Sequence, residues 1–189
     1  TLDRSSAASD VYKRQTVFLF LAAALVAGRL ASRLRMQVLA LRAANAHATA
    51  LQGLSRQLAV AADVGQVAAA GRQALKRAIG ADAIVQAGDV APEMEGLSDK
   101  DRAAADWALK HRQPAGRFTD TLGNAEWWFL PLAGGKAAAG LVGLRFPGGA
   151  TRFGSEQRRL VEAMADDIAQ AMLRTRLVSD LEDARVTGE

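Results

Sequence analysis

The stretch that decides the fold is 126-EWWFLPLAGGKAAAGLVGLRF-146, in the second half of the chain. Two apolar segments, 126–132 and 137–146, stand on either side of a short connection that contains Gly134 and Gly135. Two strand-like segments joined by a short glycine-containing connection pair as an antiparallel hairpin. The stretch therefore predicts a β-hairpin, and with it an antiparallel sheet.

Helical patterns precede this hairpin. Asp63 is placed to cap a helix, and the apolar spacing continues until Gly80 stops it. Residues 81–87 form a short strand candidate. Ser98 then opens a helix through about His111, with acidic residues in its first turn, where the helix dipole favours them. We expect these elements to flank and extend the hairpin.

A helical pattern also follows the hairpin. Ser155 is predicted to cap a last helix, whose apolar stripe carries on towards the end of the chain without a stop signal. Together the elements predict an α+β domain over 63–172, with an antiparallel sheet flanked by helices. Residues 173–189 are the predicted start of a signalling helix.

The first 28 residues indicate a piece of a longer protein. Residues 1–15 resemble a translated adapter sequence, so we expect them to be non-native. Residues 16–28, TVFLFLAAALVAG, are uncharged and apolar, but these 13 residues fall short of the roughly 20 that span a bilayer. A signal-peptide core or a buried helix is the alternative, yet a segment apolar on every face that then turns basic favours a truncated transmembrane helix.

Residues 29–62 predict a cytoplasmic linker helix, because they lack proline and their apolar residues recur in steps of mostly three and four. They contain Arg29, Arg33 and Arg35 but no acidic residue. Arginines beside a membrane segment mark its cytoplasmic side, which predicts location at the inner (cytoplasmic) membrane with residues after about 28 in the cytoplasm. Attraction of these arginines to an anionic membrane surface is screened by salt, so they form a possible ionic switch.

The apolar stripe of the linker helix suits pairing with the same helix of a second subunit. The flanking helices therefore predict a homodimer. For the part after Leu51, packing of the stripe on its own domain is an equal alternative.

Composition excludes several classes of site. The chain has no cysteine, which excludes thiol catalysis, thiolate zinc sites and iron–sulfur clusters. No aromatic residues are interleaved with the linker arginines, so nucleic acid is not an expected partner. His47 and His111 lack an acidic neighbour, and Lys136 lacks the Ser or Thr of a phosphate loop. We expect no catalytic, cofactor or metal residue in this chain.

The loop between the helix ending near His111 and the hairpin holds the candidate ligand residues Thr119, Asp120 and Thr121. Loop side chains between rigid elements often face ligands. The alternative is that these residues cap the loop backbone.

Several motifs resemble the KdpD-type potassium-responsive sensor histidine kinases, from the end of the last transmembrane helix through the GAF-like domain to the entry helix of the phosphoacceptor domain. The matching segments are Pro114–Gly116, Thr119–Leu122, Phe129–Leu132, Gly140–Leu144, Glu156–Leu160 and Ile168–Ala171. The resemblance implies a two-component kinase that regulates potassium uptake in response to potassium or osmotic stress, with a response regulator as partner.

The phosphoacceptor histidine box and the ATP-binding domain of that family are absent from this sequence. We therefore expect the fragment to be inactive alone, with ATP and Mg²⁺ bound only by a kinase domain outside it. The alternative function is a small-ligand-binding GAF module of another membrane-tethered signalling protein, with a cyclase or phosphatase as output.

Overall fold

The computed structural model describes residues 3–88, 96–134, 137–149 and 153–187. The chain divides into two compact units, Thr1–Ala46 and His47–Glu189. Helix α1 (Asp3–Ala59) supplies residues to both. It ends three residues before the predicted position 62, because 60–62 form the connection to the capped start of the next helix.

The described residues of the first unit all belong to helix α1. Its described residues from Phe20 to Ala46 are exposed, including Leu30 and Leu34 of the predicted apolar stripe. Across the described ranges, no helix combines the length and the apolar character that a membrane span requires.

In the second unit, four strands form one antiparallel sheet in the order β1-β4-β3-β2. The strands are β1 (Asp82–Ala87), β2 (Ala115–Gly116), β3 (Trp128–Gly134) and β4 (Ala137–Arg145). The predicted hairpin is confirmed as β3 and β4, which pair Leu130 with Val142. Positions 135–136 of its predicted turn lie outside the described residues.

Strand β3 begins two residues later than the predicted Glu126. The backbone N–H groups of Glu126 and Trp127 donate to the carboxylate of Asp101, at 2.8 and 3.2 Å. The Asp101 carboxylate therefore accepts hydrogen bonds from two backbone N–H groups that a longer strand β3 would use for pairing in the sheet. Strand β2 was not predicted, since its two residues carry no strand pattern of their own.

Three more helices complete this unit: α2 (Val64–Ile79), α3 (Asp99–His111) and α4 (Ser155–Thr187), with a 3₁₀ turn at Pro147–Gly149 before α4. The predicted ends of α2 are confirmed, because the Asp63 side chain accepts from the Gln66 N–H and Gly80 takes the left-handed conformation that ends the helix. Ser98 caps α3 as predicted. The prediction that Ser155 caps α4 is wrong, because Ser155 is the first residue of the helix. The Gly154 carbonyl accepts the first helical hydrogen bond, from the Arg158 N–H.

The two faces of the sheet have separate apolar cores. We call one the junction face: Trp128, Leu130, Leu132, Val142 and Leu144 point to it, and α2, α4 and the last turns of α1 cover it. We call the other the α3 face: Ile84, Phe129 and Leu141 point to it, and the alanines of α3 pack there. The α+β fold with an antiparallel sheet flanked by helices is therefore confirmed.

Two glycines of β4 permit close packing. A Cβ on Gly140 would meet the Gln86 carbonyl oxygen of β1, and a Cβ on Gly143 would lie 2.9 Å from the Phe129 ring. The Phe129 ring can therefore pack closely against β4, because position 143 has no side chain.

Candidate functional site

The predicted ligand loop Thr119–Thr121 lies between β2 and β3 and is closed by its own hydrogen bonds. The Thr119 hydroxyl lies 2.6 Å from the Gly116 carbonyl oxygen and 2.8 Å from that of Thr121, and either can accept its proton. The Gly116 N–H donates to the Thr121 carbonyl at 2.8 Å. Asp120 is exposed at the tip. The geometry matches backbone capping by Thr119, and ligand binding by this loop stays a prediction.

The loop is attached to α4 through Arg158. Its Nη2 donates to the Phe118 carbonyl oxygen at 3.2 Å, and its guanidinium carbon lies 5.3 Å from the centroid of a Trp128 ring. Phe118 has φ +64, a conformation that side chains other than glycine rarely adopt. Arg158 therefore links the loop to α4 and to the first residue of β3.

The last turns of α1 pack against α4 in what we call the helix junction: Leu54, Leu58 and Arg174. Leu54 and Leu58 are buried in the core of the junction face. Arg174 Nη2 donates to the Leu58 carbonyl oxygen at 2.8 Å. Carbonyls in the last turn of a helix lack helical partners, so this bond satisfies one of them and joins α1 to α4.

The predicted ionic-switch residues Arg29, Arg33 and Arg35 are exposed on α1. Arg29 and Arg33 are four residues apart and share one side of the helix. Arg35 lies two residues after Arg33, about 200° round the helix axis. The structure brings the first two arginines together and not the third, and it leaves their predicted role untested.

Asp101 is a buried carboxylate that the sequence identified only as an acidic residue in a first helical turn. It is 1% exposed and accepts from the Ser98 hydroxyl at 2.6 Å and the Ser98 N–H at 3.1 Å, besides the two N–H groups before β3. Burial by itself raises the pKa of Asp101, but the bonds from Ser98, Trp127 and Glu126 outweigh it and lower that pKa. Asp101 thus fixes the start of α3 to the start of β3.

A charged cavity at the β1 edge of the sheet was not predicted. Its charged lining residues come from three elements: Arg72 and Lys76 from α2, Asp82 from β1 and Arg145 from β4. Residues so far apart in sequence carry no local motif, so pattern reasoning had no signal for them. The cavity does not include Thr119, Asp120 or Thr121.

Among the known proteins that resemble this chain are a sensor protein and a crystal structure that bear the same name, KdpD. The chain is 30% identical, over 190 aligned positions, to the sensor protein KdpD of Escherichia coli (strain K12). The alignment covers 97% of this chain but 21% of that protein. The crystal structure of the GAF domain of the E. coli potassium sensor histidine kinase KdpD is also 30% identical, with a TM-score of 0.63, and covers 71% of this chain and 99% of its own.

Two more distant structures show the same fold. One is a putative GAF sensor protein from Burkholderia vietnamiensis, 16% identical with a TM-score of 0.55, matched over 71% of this chain and 92% of its own. The other is the GAF domain of a phosphoenolpyruvate-protein phosphotransferase from Coxiella burnetii, 14% identical with a TM-score of 0.52, matched over 72% of this chain and 98% of its own.

No family model matches the chain. The alternative of a GAF module from a cyclase or phosphatase protein is not favoured, because the relatives at 30% identity are both KdpD. The resemblance inferred from the motifs is confirmed. The chain belongs to the KdpD family of sensor proteins and contains the GAF domain of that family.

Proposed function

We propose that the chain is the sensory and relay portion of a membrane-bound sensor histidine kinase of the KdpD type, which regulates potassium uptake in response to potassium or osmotic stress. The observation that carries the proposal is the helix junction. The helix that enters the domain and the helix that leaves it pack on the same face of the sheet and share the bond from Arg174 to Leu58. A change in one helix therefore has a direct mechanical route to the other.

The relay works through two arrangements of the flanking helices. Packed interfaces favour discrete alternatives over continuous deformation, so a small shift at α1 biases α4 between two positions. The loop joined to α4 by Arg158 gives the domain a second point at which to bias that equilibrium. In this proposal the GAF domain sets the population of each arrangement and performs no chemistry.

The remaining functions belong to the kinase as a whole. We assign ATP and Mg²⁺ binding, histidine phosphorylation and transfer to a response regulator to its kinase domains, which lie outside the segment matched here. Pairing of two subunits through the flanking helices is part of the same proposal. Support comes from exposed apolar residues on α4 beyond the domain core, Leu177, Val178 and Leu181.

Membrane attachment is proposed from residues 16–28 and from the arginines that follow. In this proposal anionic headgroups attract Arg29, Arg33 and Arg35, and salt screens that attraction over a distance of about 8–10 Å. Ionic strength or potassium would then alter how firmly the start of the linker helix is held. The test is a kinase with all three arginines changed to glutamine, beside Arg56→Gln as control; an unchanged potassium response of its autophosphorylation contradicts the switch.

The experiment for the whole proposal is a chimera. The matching fifth of E. coli KdpD is replaced by this chain, and autophosphorylation is measured in membrane vesicles at low and high potassium. We expect an active chimera whose potassium response changes when Arg174→Ala removes the hydrogen bond between α4 and the Leu58 carbonyl of α1. Arg176→Ala is the matched control, because Arg176 has no hydrogen bond to another described residue. An inactive chimera, or equal responses of the two variants, contradicts the proposal.

A further inference from the structure

The cavity at the β1 edge has the size and the lining of a ligand site. Its volume is about 680 Å³, within the range of roughly 300–1,000 Å³ that holds small molecules in proteins. Ile84, Leu97 and Trp127 form apolar parts of its wall, and charged side chains of α2, β1 and β4 form the rest. Such a mixture binds the body of a ligand by apolar contact and its charged group by ion pairing.

The charges of the cavity do not cancel. Asp82 is its one carboxylate among the described lining residues, and it faces three cations. Its Oδ2 lies 2.9 Å from Arg145 Nη2 and its Oδ1 lies 3.9 Å from Lys76 Nζ. Arg72 forms no ion pair with another described residue. The described lining residues therefore carry a formal surplus of two positive charges.

Two of the three cations of the cavity come from the same helix. Arg72 and Lys76 are four residues apart on α2 and share one side of the helix. Like charges at that spacing repel each other, although the helix dipole favours a cation at Lys76 in the last turn. Packing of α2 relies on other residues, such as the buried Val67 and Leu75. A bound anion would turn this repulsion into attraction.

Arg145 is held in position before any ligand arrives. Asp82 accepts its hydrogen bond from one side, and the guanidinium carbon lies 5.2 Å from the centroid of a Trp127 ring. Trp127 is 6% exposed, and its indole Nε1 has no hydrogen-bond partner in the described structure. Buried donors without partners are rare in folded proteins, and this one belongs to a residue of the cavity wall.

We propose that this cavity binds a small organic anion. Its carboxylate or phosphate group lies among Arg72, Lys76 and Arg145, and its apolar part lies against Ile84, Leu97 and Trp127. Guanidinium groups recognise both kinds of anion through paired N–H donors, which is the shared chemistry. The site is separate from the predicted Thr119–Thr121 loop and gives the sensor an input that the relay proposal does not require.

The test uses the purified full chain and three probes of similar shape: benzoate, phenyl phosphate and the neutral benzamide. Binding is measured by isothermal titration calorimetry at low salt. We expect saturable binding of at least one of the two anions, weakening with added salt, and none of benzamide. Preference between benzoate and phenyl phosphate tells which anionic group the site takes. Absence of saturable binding for both anions overturns the proposal.

Two variants locate the binding. Arg72→Gln with Lys76→Gln removes the surplus charge from exposed positions, so the fold is retained. We expect affinity to fall at least about tenfold, because the anion loses its charge-assisted hydrogen bonds from Arg72 and Lys76. Arg77→Gln with Arg112→Gln is the control, because it removes equal charge outside the cavity lining. Equal losses in the two double variants would mean nonspecific attraction and would overturn the site. Neither binding result depends on kinase activity. Failure of the anion site therefore leaves the relay proposal standing, and failure of the chimera leaves the anion site standing.

Discussion

The two faces of the sheet differ in the kind of contact they provide. The junction face is filled by large apolar side chains, among them Trp128, Met164 and Ile168, and it joins the end of α1 to α4. The α3 face is covered by a helix whose buried residues are mostly alanines, and it carries the buried carboxylate of Asp101. One face therefore connects the flanking helices, whereas the other adds the hydrogen bonds of Asp101 to its apolar packing.

Removing apolar volume from the junction face should have the largest effect. Leu54 is 1% exposed there, whereas Leu34 of the same helix is 56% exposed. Leu54→Ala is expected to lower the free energy of unfolding by about 2–5 kcal/mol, because it removes buried methyl groups and leaves a cavity. Leu34→Ala should change it by less than about 0.5 kcal/mol. Urea denaturation of the full chain measures both, and equal losses would contradict the assignment of Leu54 to the core.

Breaking the polar connection of the α3 face should have the next largest effect. Asp101→Asn replaces one carboxylate oxygen by an NH₂ group, which cannot accept the bonds it faces. We expect a loss of about 1–3 kcal/mol in the free energy of unfolding, the cost of buried donors left unpaired. Asp99→Asn is the control, because that side chain is 98% exposed and should alter stability little. If the two variants unfold at the same urea concentration, Asp101 does not connect α3 to β3.

Acid should weaken the α3 face through the same carboxylate. The pKa of Asp101 is lower in the folded chain than its ordinary value of 3.8, so the unfolded chain takes up the proton first as pH falls. The contribution of Asp101 is therefore fully present above about pH 4 and is lost as pH falls through the lower folded pKa. The stability difference between wild type and Asp101→Asn should shrink from pH 7 to pH 3. A difference that stays constant or grows would contradict this sign.

The smallest loss of stability is expected in the loop attached to α4. Thr119→Val keeps the shape of the side chain but removes the hydroxyl that lies between two backbone carbonyls, with an expected loss of about 0.5–1.5 kcal/mol. Thr121→Val is the matched control, since its hydroxyl has no hydrogen bond within the described residues. Thermal unfolding followed by circular dichroism compares them. A larger effect at Thr121 would argue against the capping geometry of this loop.

Local signals in the sequence predicted the parts of the fold that depend on neighbouring residues. The caps at Asp63 and Ser98 and the hairpin all rest on residues a few positions apart. The register of the hairpin, with its irregularity between Leu132 and Ala133, depends on contacts across strands and was not predictable from the pattern.

The candidate sites depended on contacts between distant residues and were mostly missed. Arg174 forms a hydrogen bond with Leu58, which is 116 positions away in the sequence. Arg145 forms one with Asp82, which is 63 positions away. Apolar residues recur in steps of three and four around both Leu34 and Leu54 of α1, yet Leu34 is exposed and Leu54 is buried. Periodicity therefore predicts a helix with an apolar side, but the fold of the rest of the chain decides what covers that side.

Hydrogen exchange of the backbone amides in the full chain is the decisive measurement for the helix junction, because the junction requires the end of α1 and α4 to open together. We expect residues 51–59 and 160–172 to have similar protection, which falls in both segments with Arg174→Ala and in neither with Arg176→Ala. Rapid exchange of 51–59 beside a protected α4, unchanged by Arg174→Ala, would contradict the junction and the relay built on it.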